Sequence, residues 1–311
     1  MDNSSFGTPQ PPSCVTSSEA LHDLSLAWIT YVAISINITL CITAAFGNIL
    51  ILVALQVDCH RLHSPSKLLF RSLASTDLAV GLISQPCFVM HLILIVRKRL
   101  SSCHITEGAV QISGAILCGI SIFTLTAMSV DRLLALLLGL RYRQIVTLAR
   151  VRGIIVTSWL VFPSFAMLFF WNIHIFTITL CVNVLLCLAA STSCYMKIYF
   201  TLRYRQTRIS QQSRPGQINN STRAHLAAYN KTVSNSLWIF FTLIASYLPF
   251  AIVQVIRTAH GQSPSIVIAE GSTTSLVYLN SSLNPVIYFW RIREVRQAIN
   301  MTVRRFCAFC F

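Results

Sequence analysis

Asp77 sits in the middle of an apolar run, one of only nine acidic residues in the chain. A carboxylate at such a depth costs several kcal/mol unless it faces an interior cavity, a partner or an ion. Asn48, in GNILILVAL, and Asn280 and Asn284, in NSSLNPVIY, are carboxamides midway along two other apolar runs, and Ser121 stands in a third. Turned inward together, these groups give Asp77 a buried polar network. The oxygens of Asp77, Ser121, Asn280 and Asn284, with Asn48 nearby, suit a hard cation such as sodium, the one candidate cofactor. Pro249, in SYLPF, and Pro285, next to Asn284, each remove a helical hydrogen bond and loosen a turn, so the helices that carry them can swing. Asp131 and Arg132 form an adjacent charge pair in SVDRLLAL, at the end of a run where an Arg reaches water or a protein partner.

The elements that carry these residues are apolar runs at 26–55, 66–96, 104–138, 151–172, 175–203, 229–257 and 264–289. Each is long enough to cross about 30 Å of hydrocarbon as a helix. The expected fold is therefore an all-α membrane protein, a bundle of seven transmembrane helices. It divides into an extracellular tail at 1–25, the membrane domain at 26–289, and a cytoplasmic segment at 290–311. The basic stretch from Arg291 is expected to form a short amphipathic helix on the membrane surface.

Composition agrees: 54% of residues are hydrophobic and 11% are charged, which is too apolar for the surface of a soluble domain. With the amino terminus outside, all but four of the 24 Lys and Arg lie in cytoplasmic segments or at helix ends facing them; the exceptions are Arg97, Lys98, Arg99 and Arg257. The formal charge of +15 thus reads as topology and attraction to anionic lipid, and leaves nucleic acid unneeded as a partner. The tail has no Lys or Arg, so it lacks the basic start of a cleaved signal peptide. The eleven cysteines show no CxxC pairs and no His at metal-ligand spacing. Asn3 begins the one N-glycosylation sequon that this topology places outside. Cys307 and Cys310 follow basic residues in the setting where cysteines are palmitoylated. Whether Cys14 and Cys103 pair is left open.

One motif per helix, in order, resembles the rhodopsin-like (class A) G-protein-coupled receptors: Gly47-Asn48, LASTD ending at Asp77, DRL at Asp131-Arg132 in place of DRY, Trp159, Tyr195 in YMKIY, Pro249, and NPVIY from Asn284 to Tyr288. LRYRQIVT, which holds Tyr142, is similar to that family's second cytoplasmic loop. The resemblance implies a plasma-membrane receptor that couples an extracellular ligand to a heterotrimeric G protein. Asp131, Arg132, Tyr142, Tyr195, Pro249, Asn284, Pro285 and Tyr288 would then be the switch residues. The cysteine that the family commonly carries 25 residues before the DRY arginine is replaced by Glu107, and no cysteine falls between Trp171 and the fifth span, so the common disulfide and its lid are expected to be missing. Cys187 stands where a fifth-span proline is common. These departures are loosely similar to melanocortin, cannabinoid and lysophospholipid receptors.

The resemblance also implies a ligand pocket lined by Glu107, Gln111, Gly114, Cys118, Tyr247, Phe250, Gln254, Glu270, Thr274 and Tyr278. Gly114 stands where amine receptors carry an Asp, and Tyr278 where retinal proteins carry a Lys, so a peptide or lipid-like ligand is expected in preference to a biogenic amine or retinal. An acid near the end of the sixth helix often holds the DRY arginine in this family. No Asp or Glu occurs between Asp131 and Glu270, and Tyr229 takes that place, so ligand-free signalling is expected. The alternative is a seven-helix transporter or channel, but no matching halves are found. An enzyme would need a nucleophile with its base, or a metal set, and neither is evident.

Overall fold

The computed structural model describes residues 24–57, 64–212, 220–261, 263–291 and 296–297. The described residues are helical, with no strand among them. In chain order the helices are α1 (Leu24–Val57), α2 (Ser64–Ala79), α3 (Gln85–Val96), α4 (Leu100–Leu138), α5 (Tyr142–Ile145), α6 (Leu148–Ala166), α7 (Leu168–Trp171), α8 (Ile173–Gln212), α9 (Asn220–His260) and α10 (Pro264–Arg291). Six helical segments are long and apolar enough to cross a membrane: Trp28–Gln56, Ser64–Val96, Ser101–Leu138, Leu148–Trp171, Ile173–Arg205 and Phe240–His260. The seventh run, α10, is a 28-residue helix whose Glu270, Asn280, Asn284 and many Ser and Thr make it more polar than the others. That polarity fits a helix that turns its side chains toward its neighbours, and α10 packs against α1 and α9.

Sequence chemistry explains where the helices bend and begin. Between α2 and α3 the chain takes one π-helical turn, Val80–Ser84, in which the Gln85 N–H donates to the Val80 carbonyl. Pro86 lies just beyond, unable to donate and crowding the carbonyl four residues back, and a wider turn relieves both problems. Asn172, the sole residue between α7 and α8, caps α8 by accepting from the His174 and Ile175 N–H groups at 2.8 and 3.2 Å. From there α8 runs 40 residues without interruption, because Cys187 puts an ordinary backbone N–H where a proline would break the ladder.

The largest core cluster draws Leu55, Leu73, Ile122, Leu125, Leu243 and Tyr247 from four helices. Outward faces carry exposed large apolar side chains, among them Trp28, Phe46, Leu160 and Phe170, as expected of surfaces that lie in lipid. Two glycines set how closely helices approach. A Cβ on Gly47 would lie 2.8 Å from Pro285 Cβ, and one on Gly119 would lie 2.5 Å from Phe162 Cδ1, so α1 meets α10 and α4 meets α6 at those points because no side chain intervenes.

Candidate functional site

Three groups of polar residues lie along the bundle axis. At one end, all ten residues expected to line a pocket face a single cavity of about 150 Å³ between α3, α4, α8, α9 and α10. Its apolar lining includes Phe88, Leu92, Ile122 and Val277, with Phe88 and Tyr278 edge to face at 5.6 Å. Tyr247 is buried there, and its hydroxyl donates to the Cys118 carbonyl at 3.2 Å, tying α9 to α4. Gly114 faces Tyr278, and a Cβ on it would make an ordinary contact 3.7 Å from the tyrosine oxygen. Glu270 is ion-paired with Arg257 and accepts from the Gln254 amide at 3.0 Å, which places charge at the open end of an apolar chamber.

Arg257 and His91 also line this cavity, and the sequence reading did not include them. Arg257 was visible as the residue three after Gln254, on the same helical face, but it reads equally as a span-end charge. His91 lines the same cavity as Glu107 and Glu270, with its Nδ1 3.3 Å from the Thr106 hydroxyl. That contact joins α3 to α4 across a turn and cannot be seen from spacing within either helix.

The second group is buried at mid-bundle. Asp77 is fully enclosed; its Oδ1 accepts from the Ser121 hydroxyl at 2.9 Å and its Oδ2 from the Asn284 amide at 2.7 Å. Asn48 instead donates to the Ala44 and Ser281 carbonyls at 2.8 and 3.2 Å. Asn280 is fully buried, and neither its amide nitrogen nor its oxygen has a hydrogen-bond partner. The amide oxygens of Asn48 and Asn284 are likewise unpaired. Three partnerless amide oxygens on the helices around one buried carboxylate are a costly arrangement in an apolar interior unless something else satisfies them.

The third group lies at the opposite end. Asp131 accepts from the Tyr142 hydroxyl at 2.6 Å and from the Ser66 hydroxyl at 3.0 Å, so its carboxylate is taken by neighbouring helices and the expected pair with Arg132 does not form. Adjacent residues on a helix diverge by about 100°, which turns Arg132 away until its guanidinium lies 6.0 Å from the Phe70 ring centroid. Burial and the bond to Asp131 push the Tyr142 phenol up to about 12, so it stays protonated and keeps donating. Tyr195 is buried against Phe240, with ring centroids 4.8 Å apart. Pro249 lies within α9 and Pro285 within α10, while Trp159 is well exposed on the outward face of α6. The side chains of Tyr229 and Tyr288, together with Asn3, Cys307, Cys310 and the basic stretch after Arg291, lie outside the described residues.

Comparison with known proteins follows the same lines. A sequence model of the 7 transmembrane receptor (rhodopsin family) matches residues 47–174. Adenosine receptor A3 of Bos taurus is 25% identical over 312 residues, covering 92% of this chain and 93% of that protein. Adenosine receptor A2a of Homo sapiens is 27% identical over 320 residues, covering 88% of this chain and 72% of its own length. Adenosine receptor A2b of Bos taurus is 34% identical over 128 residues, 41% of this chain and 37% of that receptor. These relatives are all named as receptors.

Proposed function

Because this chain belongs to the rhodopsin family of seven-transmembrane receptors, we propose that it binds a small, nucleoside-sized ligand in the cavity between α3, α4, α8, α9 and α10 and passes that binding to a cytoplasmic G protein. In this reading α10 is the seventh span, the amino terminus is extracellular and the protein resides in the plasma membrane. The segment after residue 290 lies along the inner membrane surface, with Asn3 glycosylated and Cys307 and Cys310 palmitoylated.

The observation that carries the ligand class is the arrangement in the cavity. An apolar slot walled by Phe88, Leu92, Ile122 and Val277 suits a flat ring, and the Gln254–Glu270–Arg257 cluster above it suits the hydroxyl and amine groups of a polar appendage. The relatives' names say they bind adenosine, a molecule of that shape. A peptide anchored by one basic residue would have to displace Arg257 from Glu270. A lipid-like ligand keeps one favourable observation: Asn172 alone joins α7 to α8, so no second-loop lid covers the cavity there.

The experiment is a panel of nucleosides, lysophospholipids and short basic peptides applied to cells that report cyclic AMP and calcium. A nucleoside response is expected, weakened about ten- to hundredfold by Gln254→Leu, the size of losing one hydrogen bond in a buried site. A response to lipid or peptide alone, or a nucleoside response indifferent to Gln254, overturns the reading.

Two further assignments belong to it. Asp77, Ser121, Asn280 and Asn284, with Asn48 nearby, fit a sodium ion, since a hard cation would satisfy the partnerless amide oxygens. Arg132 lacks an acid on α9 to hold it in the inactive conformer, and Tyr229 stands in that acid's place, 20 residues before Pro249. Ligand-free signalling follows. An ion pair partly wetted by cytoplasm contributes about 0–1 kcal/mol, so Tyr229→Glu is expected to lower the basal signal by up to about fivefold at matched surface expression. An unchanged or higher basal signal counts against it.

A further inference from the structure

Gln85 is fully buried at the start of α3, and neither its amide nitrogen nor its amide oxygen is hydrogen-bonded to a side chain or backbone group. Ser84 Oγ beside it and Asn37 Oδ1 on α1 belong to side chains just as buried, and they are equally unpartnered. Strong donors and acceptors left unanswered in an apolar interior are heavily penalised, most of all inside a membrane. We infer that these four atoms form a binding site for ordered water between α1, α3 and α10, a neutral chamber distinct from the Asp77 group.

Backbone register brings the four atoms to one level. The Cys41 thiol of α1 donates to the Gly81 carbonyl at 2.9 Å, and a Cβ on Gly81 would lie 3.0 Å from Ala44 Cβ, so the two helices touch there. That carbonyl is available because the π turn bonds across five residues, and the donor due to it is Pro86, which has no N–H. α1 and the α2–α3 run are antiparallel. One turn back along α1 from Cys41 is Asn37, and one wide turn on from Gly81 is Gln85. The orientation of Asn37 follows from its neighbours. Its Nδ2 donates to the Ala33 carbonyl at 2.8 Å and to Ser275 Oγ of α10 at 2.9 Å, while the Ser275 hydroxyl gives its own proton to the Gly271 carbonyl at 2.9 Å. Both neighbours present lone pairs, so the nitrogen must face them and Oδ1 is turned away from both.

The guest that fits is small, neutral and able both to donate and to accept. Gln85 Nε2 needs an acceptor, Gln85 Oε1 and Asn37 Oδ1 need donors, and Ser84 Oγ takes either. A buried water commonly makes about three hydrogen bonds to such groups, and a small cluster answers all four. A cation would find no counter-charge in the set, because none of the three residues ionises and Asp77 stands eight residues earlier, roughly 12 Å along the helix. None of the three lines the ligand cavity, but Phe88, three residues after Gln85, and Tyr278, three after Ser275, both do. What fills this site therefore bears on how two rings of the cavity wall are held.

The inference goes beyond the proposed function and holds whichever ligand the cavity takes, so its test uses none. Detergent-purified full-length receptor is compared by thermal melting with Gln85→Met, whose side chain has the same length and no amide. In a dry site the change removes an unpaired donor and acceptor, and the melting temperature rises. In a hydrated site methionine takes away the water's main partner and leaves Asn37 Oδ1 and Ser84 Oγ unanswered, and the melting temperature falls. A fall of several degrees is expected, equal in sodium and in choline buffer because the guest is neutral. A density map of the wild type that resolves ordered solvent is expected to show water within hydrogen-bond distance of the Gln85 amide and Asn37 Oδ1. That measurement decides the matter even where the variant does not fold. A melting temperature that rises or stays the same, a fall seen only in sodium, or a map in which Gln85 bonds a protein group directly or faces no solvent overturns the inference.

Discussion

Asp77→Asn is expected to abolish the effect of sodium ions on agonist affinity and on the thermal stability of the unliganded receptor. Asp77 is completely enclosed, and its two oxygens already accept from Ser121 and Asn284. The amide oxygens of Asn48, Asn280 and Asn284 take no hydrogen bond from any neighbouring side chain or backbone group. A monovalent cation beside the carboxylate supplies charge to Asp77 and a ligand position to the amides at once. The asparagine variant keeps the size and one oxygen of the side chain but loses the charge that outweighs the ion's dehydration, so sodium should no longer bind. If the ion prefers the conformer with a closed cytoplasmic end, raising sodium weakens agonist binding in wild type by mass action, and the variant should show a flat response. Equal sodium dependence in wild type and Asp77→Asn, in affinity and in melting temperature alike, removes the ion from this chamber.

Much of this site was legible because the membrane restricts what polar residues can mean. A carboxylate in an apolar run must face inward, so Asp77 pointed to the interior and drew Ser121 and Asn284 after it. The same logic brought ten pocket residues to one cavity, since family register fixes which positions of α4, α9 and α10 face the axis. What spacing could not supply was contact between helices. The capture of Asp131 by Tyr142 and Ser66, and the place of His91 between Thr106 and Cys103, depend on the relative rotation of α2, α3 and α4. The π turn at Val80–Ser84 inserts an extra residue into the second span and re-aims everything beyond it, including Phe88 and His91. Pro86 was the available signal, although proline inside a membrane helix announces a distortion without saying which kind.

Gly119→Ala is expected to destabilise the receptor by about 1–3 kcal/mol, the ordinary cost of overpacking a filled interior. A Cβ at position 119 would lie 2.5 and 2.7 Å from Phe162 Cδ1 and Cε1, inside any real carbon–carbon contact, so the phenyl ring of α6 must move. It has little freedom to do so. Phe123 sits at 6.0 Å and Phe165 at 6.2 Å, both edge to face, and Phe162 itself is buried. Separating α4 from α6 instead would open the bundle along their shared face. Surface expression and the melting temperature of detergent-extracted receptor should therefore fall together. The mechanism is checked by a double-mutant cycle with Phe162→Leu, whose shorter side chain vacates the position the new methyl takes: the pair should be more stable than the sum of the two single changes predicts, by 0.5 kcal/mol or more on the scale of about 0.5–3 kcal/mol that couples residues in contact. Additive losses would mean that position 119 is intolerant for some reason other than the ring of Phe162.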